Sequence, residues 1–174
     1  MSKKTNGDSI HGWLIIDKQA NIGSTDVVNQ TRRLLNANKN GHTGTLDPFA
    51  TGVLPIAFGE ATKLIPYVTD GNKEYEFTLK FGSTTDTLDL TGTITQTGGK
   101  IPTQNEILNI IPEFIGAITQ IPPAYSAIKI NGQRAYDLAR KGQDVIIPKR
   151  QIEIFSLELL SILSADEYKF RVAC

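Results

Sequence analysis

Alternating hydrophobic and polar residues along the chain predict several β-strands. The clearest covers 73–81, where four large apolar residues alternate with polar ones: Tyr75, Phe77, Leu79 and Phe81. Further strands are predicted over four stretches: 12–18, 53–58, 152–160 and 168–174, the last two as a hairpin. The polar stretch 82–92 is predicted to be a loop.

A helical period of hydrophobic residues predicts three helices. Five residues fall on one face of a helix over roughly 25–37, for which Ser24 is the predicted N-terminal cap: Val27, Val28, Thr31, Leu34 and Leu35. A second helix is predicted between Pro102 and Ile118, disturbed by Pro112. A short third helix is predicted over 60–68.

The composition excludes several classes of protein. A length of 174 residues, with 40% hydrophobic and 21% charged residues, fits one ordinary globular domain and not a disordered chain. We expect residues 1–9 to be flexible and 10–174 to form this domain. The single cysteine, Cys174, excludes an internal disulfide and a cysteine-built metal site. No stretch has the length of a membrane-spanning helix or the apolar core of a signal peptide, so we expect a soluble, cytoplasmic protein.

Basic residues are concentrated in one part of an otherwise neutral chain. The whole sequence has 18 Lys and Arg against 18 Asp and Glu. Between Lys129 and Arg150, six basic residues stand against two acidic ones, a local charge of +4, with Tyr125 and Tyr136 close by. Basic groups beside aromatic ones suit an RNA backbone. On composition alone, a solvated helix of ordinary charge explains the stretch equally well.

The stretch 41–63 contains the candidate for chemistry. Four glycines and two prolines within it predict a tightly shaped loop. Asp47 precedes Pro48, which disfavours a helical conformation at the aspartate, and the apolar run 53–58 follows. A carboxylate on such a loop suits a nucleophile or a general base. The alternative is a turn aspartate that bonds its own backbone, and His42 by itself more often has a structural partner.

The run Gly41-His-Thr-Gly-Thr-Leu-Asp-Pro-Phe-Ala-Thr-Gly-Val-Leu54 closely resembles the signature of the TruB family of tRNA pseudouridine synthases. The resemblance covers residues 11–174 in order. It implies an α/β (α+β) pseudouridine synthase fold, with a largely antiparallel mixed central sheet flanked by helices and a thumb-like insertion at 120–150. It also implies isomerisation of uridine 55 in the T loop of tRNA to pseudouridine by a monomeric enzyme without a cofactor.

Asp86 and Asp89 lack the further oxygen ligands of a calcium loop, so we predict turn roles for them and no metal site.

The resemblance further implies roles for individual residues. Asp47 is the expected catalytic group. His42 is expected to enter the RNA and hold the flipped uridine out of its stack, and Tyr75 to contact the flipped base. Three basic residues are further candidates, as contacts to substrate phosphates: Lys18, Lys129 and Arg134.

The chain departs from the family's pattern in two ways. Gln19 stands where the family has proline and Asn21 where it tends to have glycine, which predicts a looser loop. In the family, the strand matching 168–174 runs into a Lys-Gly-Thr-Tyr-Ile-Arg signature whose arginine pairs with the aspartate. We therefore expect a truncated or partial chain that holds its fold loosely but catalyses poorly or not at all.

Other classes of function stay open at this point. A non-catalytic RNA-binding or tRNA-folding module would use the basic thumb without needing Asp47. An RNA-guided pseudouridine synthase would share the Gly-His-Thr-Gly-Thr-Leu-Asp signature, although the thumb-like stretch from Gln120 to Gly142 favours a stand-alone enzyme. An unrelated aspartyl-nucleophile hydrolase is disfavoured because the acids that would bind its metal are lacking.

Overall fold

The computed structural model describes residues 7–122, 129–130, 133–134 and 147–174, with the backbone alone for the two short pairs. The chain divides into two compact units, one ending at Gly71 and the other beginning at Asn72. Within the described sheets every strand pairing is antiparallel. The flexible end predicted for 1–9 lies partly outside the described residues, while the Asp8 backbone forms a bridge with Ala37.

The described residues of the first unit contain a three-stranded sheet, two α-helices and a 3-10 helix. Its elements are β1 (Gly12–Lys18), α1 (Ser24–Leu34), β2 (Asn40–His42), β3 (Gly52–Phe58), a 3-10 helix (Gly59–Leu64) and α2 (Ile65–Thr69). β3 is central, in the order β1-β3-β2. The strands predicted over 12–18 and 53–58 are confirmed, whereas β2 was not predicted.

Alternation along β1 and β3 builds the core of this unit. Leu14 lies opposite Ile56 and Ile16 opposite Leu54, so the apolar side chains of both strands share one face. Val27 of α1 packs against this face. Leu54 and Ile56 are at most 1% exposed, and burying such a side chain contributes roughly 1.5–3 kcal/mol. The core therefore holds the first turn of α1 beside the ends of β1 and β3.

Helix α1 differs from its prediction at both ends. Gly23 takes the cap position and no side chain caps the helix there, so the prediction that Ser24 is the cap was wrong. The helix ends at Leu34, before the predicted 37, and Asn36 adopts a left-handed φ of 46°. Leu34 is 83% exposed, so the predicted apolar face of α1 is buried only along the first turns of the helix.

The described residues of the second unit combine short sheets with one α-helix. Its elements are β4 (Glu74–Lys80), β5 (Ser83–Thr85), β6 (Ile94–Thr97), α3 (Gln104–Ile110), a 3-10 helix (Ile111–Phe114), β7 (Gly116–Gln120), β8 (Lys129–Ile130), β9 (Gln133–Arg134), β10 (Arg150–Ile154), β11 (Ser156–Ile162) and β12 (Glu167–Ala173). The strand order is β11-β12-β4 in one sheet, and β10-β7, β5-β6 and β8-β9 are pairs. None of the helices within the described ranges is long and apolar enough to cross a membrane.

Two predictions for this unit need correction. The strand predicted over 152–160 is two strands, since β10 pairs with β7 and β11 pairs with β12. The predicted loop at 82–92 begins with β5, which pairs with β6. The hairpin of β11 and β12 and the strand over 73–81 are confirmed.

Helix α3 begins with a reciprocal capping box. The Thr103 hydroxyl accepts the Glu106 N–H at 3.3 Å, and the Glu106 carboxylate accepts the Thr103 N–H at 2.8 Å. The Lys100 ammonium also donates to this carboxylate, and together these bonds lower the pKa of Glu106 to about 2.

We expect the Glu106 carboxyl to titrate near pH 2 when followed by NMR of its side-chain carbon. Because its pKa in the folded protein lies below the ordinary value of 4.5, its stabilising contribution is present above pH 4.5 and is lost as the pH falls towards 2. Lys100→Met should raise this pKa, and Lys39→Met, at an exposed lysine of the first unit, should leave it unchanged. A wild-type value close to 4.5 would contradict the cap geometry.

Candidate active site

The loop over 43–51 joins β2 to β3 and presents Asp47 at the surface. The Ala50 N–H donates to the Asp47 carbonyl oxygen at 3.0 Å and closes a turn over these four residues. Gly52 then enters β3 with a φ of +133°, a conformation that favours glycine. Across the described ranges, the Asp47 carboxylate has no hydrogen bond or ion pair with another residue. Its side chain is therefore open to a substrate, while its backbone lies in a turn.

The carbonyl of Pro48, directly after Asp47, is held by the segment that follows β1. The Asn21 N–H donates to this oxygen at 2.7 Å. Asn21 has a left-handed φ of 67°, a region that asparagine tolerates better than most residues and glycine enters freely. The asparagine in place of the family's glycine thus keeps the conformation in which this N–H reaches the loop.

Lys18 supports the same loop from inside the protein. It is 1% exposed, and its ammonium donates to the carbonyl oxygens of Gln19 at 3.0 Å, Ile22 at 2.8 Å and Pro48 at 3.3 Å. A lysine ammonium has three donors, and three carbonyls use them here. This placement differs from the phosphate contact predicted for Lys18, because the ammonium is buried and its donors are occupied.

His42 is the last residue of β2 and lies opposite Ile56 of β3. Its ring is half-buried, and the buried Nδ1 has no hydrogen-bond partner within the described part of the chain. A buried polar atom without a partner is uncommon in folded proteins and calls for an explanation, such as a ligand group. The structure thus places His42 one residue before the loop that carries Asp47.

Tyr75 belongs to the second unit, near the start of β4. It lies opposite Val172 of β12, and its side chain is 44% exposed. Partial burial, together with the charge of Cys174, raises the pKa of the Tyr75 phenol above its ordinary value. The phenol therefore stays protonated at neutral pH and keeps its O–H donor.

Lys129 and Arg134 form a backbone pair between β8 and β9. The predicted phosphate contacts concern their side chains, which lie outside the described residues, as does most of the thumb-like segment at 120–150.

The two aspartates of the β5–β6 connection bond their own loop. The Asp89 carboxylate accepts the Thr91 N–H at 2.8 Å and the Thr87 hydroxyl at 2.7 Å, and Asp86 accepts the Thr93 N–H at 2.8 Å. Their predicted turn roles are confirmed. In the part of the chain that the structure describes, no three His, Cys, Asp or Glu side chains are grouped as a metal site.

Ser24 is a residue near the loop whose contact the sequence did not predict. Its hydroxyl, buried at 3% exposure, bonds the backbone of Leu46, the residue before Asp47. A serine at a helix start ordinarily indicates a cap, and its partner here is 22 residues away in the sequence. No local pattern could have identified this contact.

Comparison with known proteins agrees with the signature around Asp47. Residues 32–174 match the family model described as TruB family pseudouridylate synthase (N terminal domain). The chain belongs to the TruB family. It is similar to the tRNA pseudouridine synthase B of Rhizobium johnstonii, with 51% identity over 172 residues that cover 99% of this chain and 56% of that protein. The tRNA pseudouridine synthase B of Brucella anthropi is 50% identical over 171 residues, covering 98% of this chain and 53% of that protein. The chain thus spans about half the length of the curated relatives it matches.

Solved structures share the fold of this TruB family chain. A chain in the crystal structure of a Cbf5-Nop10-Gar1 complex is 28% identical and superposes with a TM-score of 0.66, covering 94% of this chain and 39% of that one. The structure of an H/ACA RNP bound to a substrate RNA containing 2'-deoxyuridine contains a chain with 22% identity and a TM-score of 0.65, covering 99% and 44%. These matches confirm the predicted α+β pseudouridine synthase fold.

The buried Lys18 ammonium should contribute measurably to the stability of the first unit. Lys18→Met keeps the length of the side chain but removes a donor from the part-buried carbonyls of Gln19, Ile22 and Pro48, so we expect the free energy of unfolding to fall by about 1–3 kcal/mol. Urea denaturation followed by the fluorescence of Trp13, on β1, measures this. Lys39→Met, at an exposed lysine, should change it by less than about 0.5 kcal/mol. Equal stability of the two variants would show that the three bonds contribute little.

Proposed function

We propose that this chain supplies the catalytic aspartate of a tRNA pseudouridine synthase that converts uridine 55 in the T loop of tRNA to pseudouridine. The observation that carries the proposal is the placement of Asp47, exposed on a loop whose neighbouring backbone groups are hydrogen-bonded to the body of the first unit. The family, and relatives at 50% and 51% identity that are named tRNA pseudouridine synthase B, support a uridine in tRNA as the substrate.

The proposed reaction is an isomerisation that balances without an oxidant or a cofactor. The bond between N1 of uracil and C1' of the ribose breaks, the base turns, and a bond forms between C5 and C1'. The hydrogen on C5 leaves as a proton, and N1 gains one. Asp47 acts as the covalent or proton-abstracting group, for which an exposed carboxylate on a well-anchored loop is suited.

The uridine must leave its stack before Asp47 can reach it, at a cost of a few kcal/mol. His42 is proposed to enter the RNA where the base was, and its partly exposed ring, one residue before the loop that carries Asp47, supports this role. Tyr75 is proposed to contact the flipped base, since its ring is 44% exposed and its phenol stays protonated. Lys129 and Arg134 are proposed to contact phosphates of the T arm.

The RNA-guided type of pseudouridine synthase is the second candidate. The superposition on a chain from a Cbf5-Nop10-Gar1 complex favours it, but at 28% identity against 50% and 51% for the tRNA pseudouridine synthases. The higher identity to the tRNA pseudouridine synthases favours an enzyme that acts on the T arm of bare tRNA. We also propose that this enzyme is monomeric and cytoplasmic.

Asp47→Asn should abolish pseudouridine formation while leaving RNA binding intact. The substrate is a T-arm stem-loop RNA with tritium at C5 of its uridines, because the isomerisation releases that hydrogen to water. We expect the rate of tritium release to fall by at least about a hundredfold in Asp47→Asn, since a positioned acid–base or nucleophilic group is lost. Asp70→Asn, at the exposed aspartate in the C-cap position after α2, should keep the wild-type rate.

The same assay separates the candidate functions. The wild-type chain is compared with a version extended past Cys174 to the length of its relatives. Tritium release from the bare stem-loop by the extended wild type supports a stand-alone enzyme, and release only after a separate guide RNA is added supports the RNA-guided type. If either version binds the stem-loop and neither releases tritium, the chain is a binding module. Equal rates of tritium release for wild type and Asp47→Asn would exclude Asp47 as the catalytic group.

A further inference from the structure

The hydroxyl of Ser24 bonds both backbone groups of the residue before Asp47. It donates to the Leu46 carbonyl oxygen at 2.9 Å and accepts the Leu46 N–H at 2.9 Å. A serine hydroxyl has one donor and can accept as well, so one side chain satisfies both the backbone N–H and the backbone carbonyl of Leu46. Ser24 is 3% exposed, which keeps water from replacing either bond.

Leu46 has no other anchor for its backbone in the described part of the chain. It lies in an irregular stretch between β2 and β3, where no strand ladder supplies partners. Its side chain packs against the core that contains Val27, Leu54 and Ile56. The hydroxyl of Ser24 thus determines how the peptide before Asp47 is turned, while the core determines how deep Leu46 lies.

The residue after Asp47 is held by the same short segment. The Pro48 carbonyl accepts from the Asn21 N–H at 2.7 Å and from the Lys18 ammonium at 3.3 Å. Both backbone neighbours of the aspartate are therefore tied to residues 18–24, whereas the Asp47 side chain has no bond to another described residue. These backbone bonds fix the direction in which the Asp47 side chain leaves the loop.

We propose that Ser24 is a positioning residue for Asp47, acting by fixing the Leu46 peptide that precedes the aspartate. The proposal rests on the proposed function, in which Asp47 acts on a uridine. Without the hydroxyl, the Leu46 peptide can rotate and carry the carboxylate away from the reacting atoms. A displacement of about 1 Å can lower a rate by a hundredfold, so the role should appear in kcat.

The test compares Ser24→Ala with Thr31→Val in the version of the chain that is extended past Cys174 to the length of its relatives. Thr31 is the matched control because its hydroxyl is also buried in α1, at 7% exposure, and bonds no residue of the loop: it donates to the carbonyls of Val27 and Val28 at 3.0 Å and accepts from the Asn40 side chain at 3.3 Å. Tritium release from the T-arm stem-loop gives kcat and KM at a temperature where circular dichroism shows both variants folded.

We expect Ser24→Ala to lower kcat by about 10- to 100-fold with KM changed less than about threefold. Thr31→Val should keep both constants within about twofold, whatever its effect on the melting temperature. A Ser24→Ala enzyme with wild-type kcat would overturn the proposal, and so would an equal loss of kcat in both variants. A wild-type protein that releases no tritium would instead overturn the proposed function.

A second measurement does not depend on an activity assay. In the wild-type chain, the Leu46 amide should exchange with deuterium at least about tenfold more slowly than the amide of exposed Thr45, after correction for intrinsic rates, because Ser24 accepts its N–H. In Ser24→Ala the two amides should exchange alike, and in Thr31→Val the difference should persist. Equal exchange of Leu46 and Thr45 in the wild type would show that the hydroxyl does not hold the loop.

Discussion

Hydrogen bonds between residues 18–24 and the two backbone neighbours of Asp47 are the constraint on which the candidate site depends. The loop over 43–51 has no ladder of its own, and polar backbone groups that leave water need a partner. A lysine ammonium, a backbone N–H and a serine hydroxyl supply those partners from one short segment. The aspartate side chain can then stay exposed and unpaired among the described residues without the loop losing its shape.

The core of the first unit keeps these two segments side by side. Lys18 lies opposite Gly52, the residue at which the loop enters β3, so the register of β1 and β3 brings the ammonium next to the loop. Val27 packs on the same sheet face as Leu54 and Ile56, which holds the start of α1 there. A shift of this register by one residue would move Lys18 to the other face, because side chains alternate along a strand.

In the second unit, the pairing of β4 with β12 determines the position of Tyr75. The register of β4 and β12 sets Tyr75 opposite Val172 and Phe77 opposite Phe170, whose rings stack with centroids 5.5 Å apart. On the other face, Glu76 pairs with Lys169 at 2.7 Å and Arg171 at 2.6 Å, which lowers the pKa of that carboxyl. Such exposed pairs contribute little stability, so the apolar face determines the strand pairing.

The sequence by itself determined the features that depend on neighbouring residues. Glycines and prolines around Asp47 predicted a shaped loop, strict alternation predicted β4, and the apolar run after the loop predicted β3, because backbone preference and side-chain period are local properties. Only the tertiary structure decided how Ser24 and Lys18 support the loop, since Leu46 lies 22 residues from Ser24 and Pro48 lies 30 residues from Lys18. The tertiary structure also decided that the strand predicted over 152–160 is two strands. Apolar and polar residues alternate in each half, and the halves are distinguished only by their partners, since β10 pairs with β7 and β11 pairs with β12.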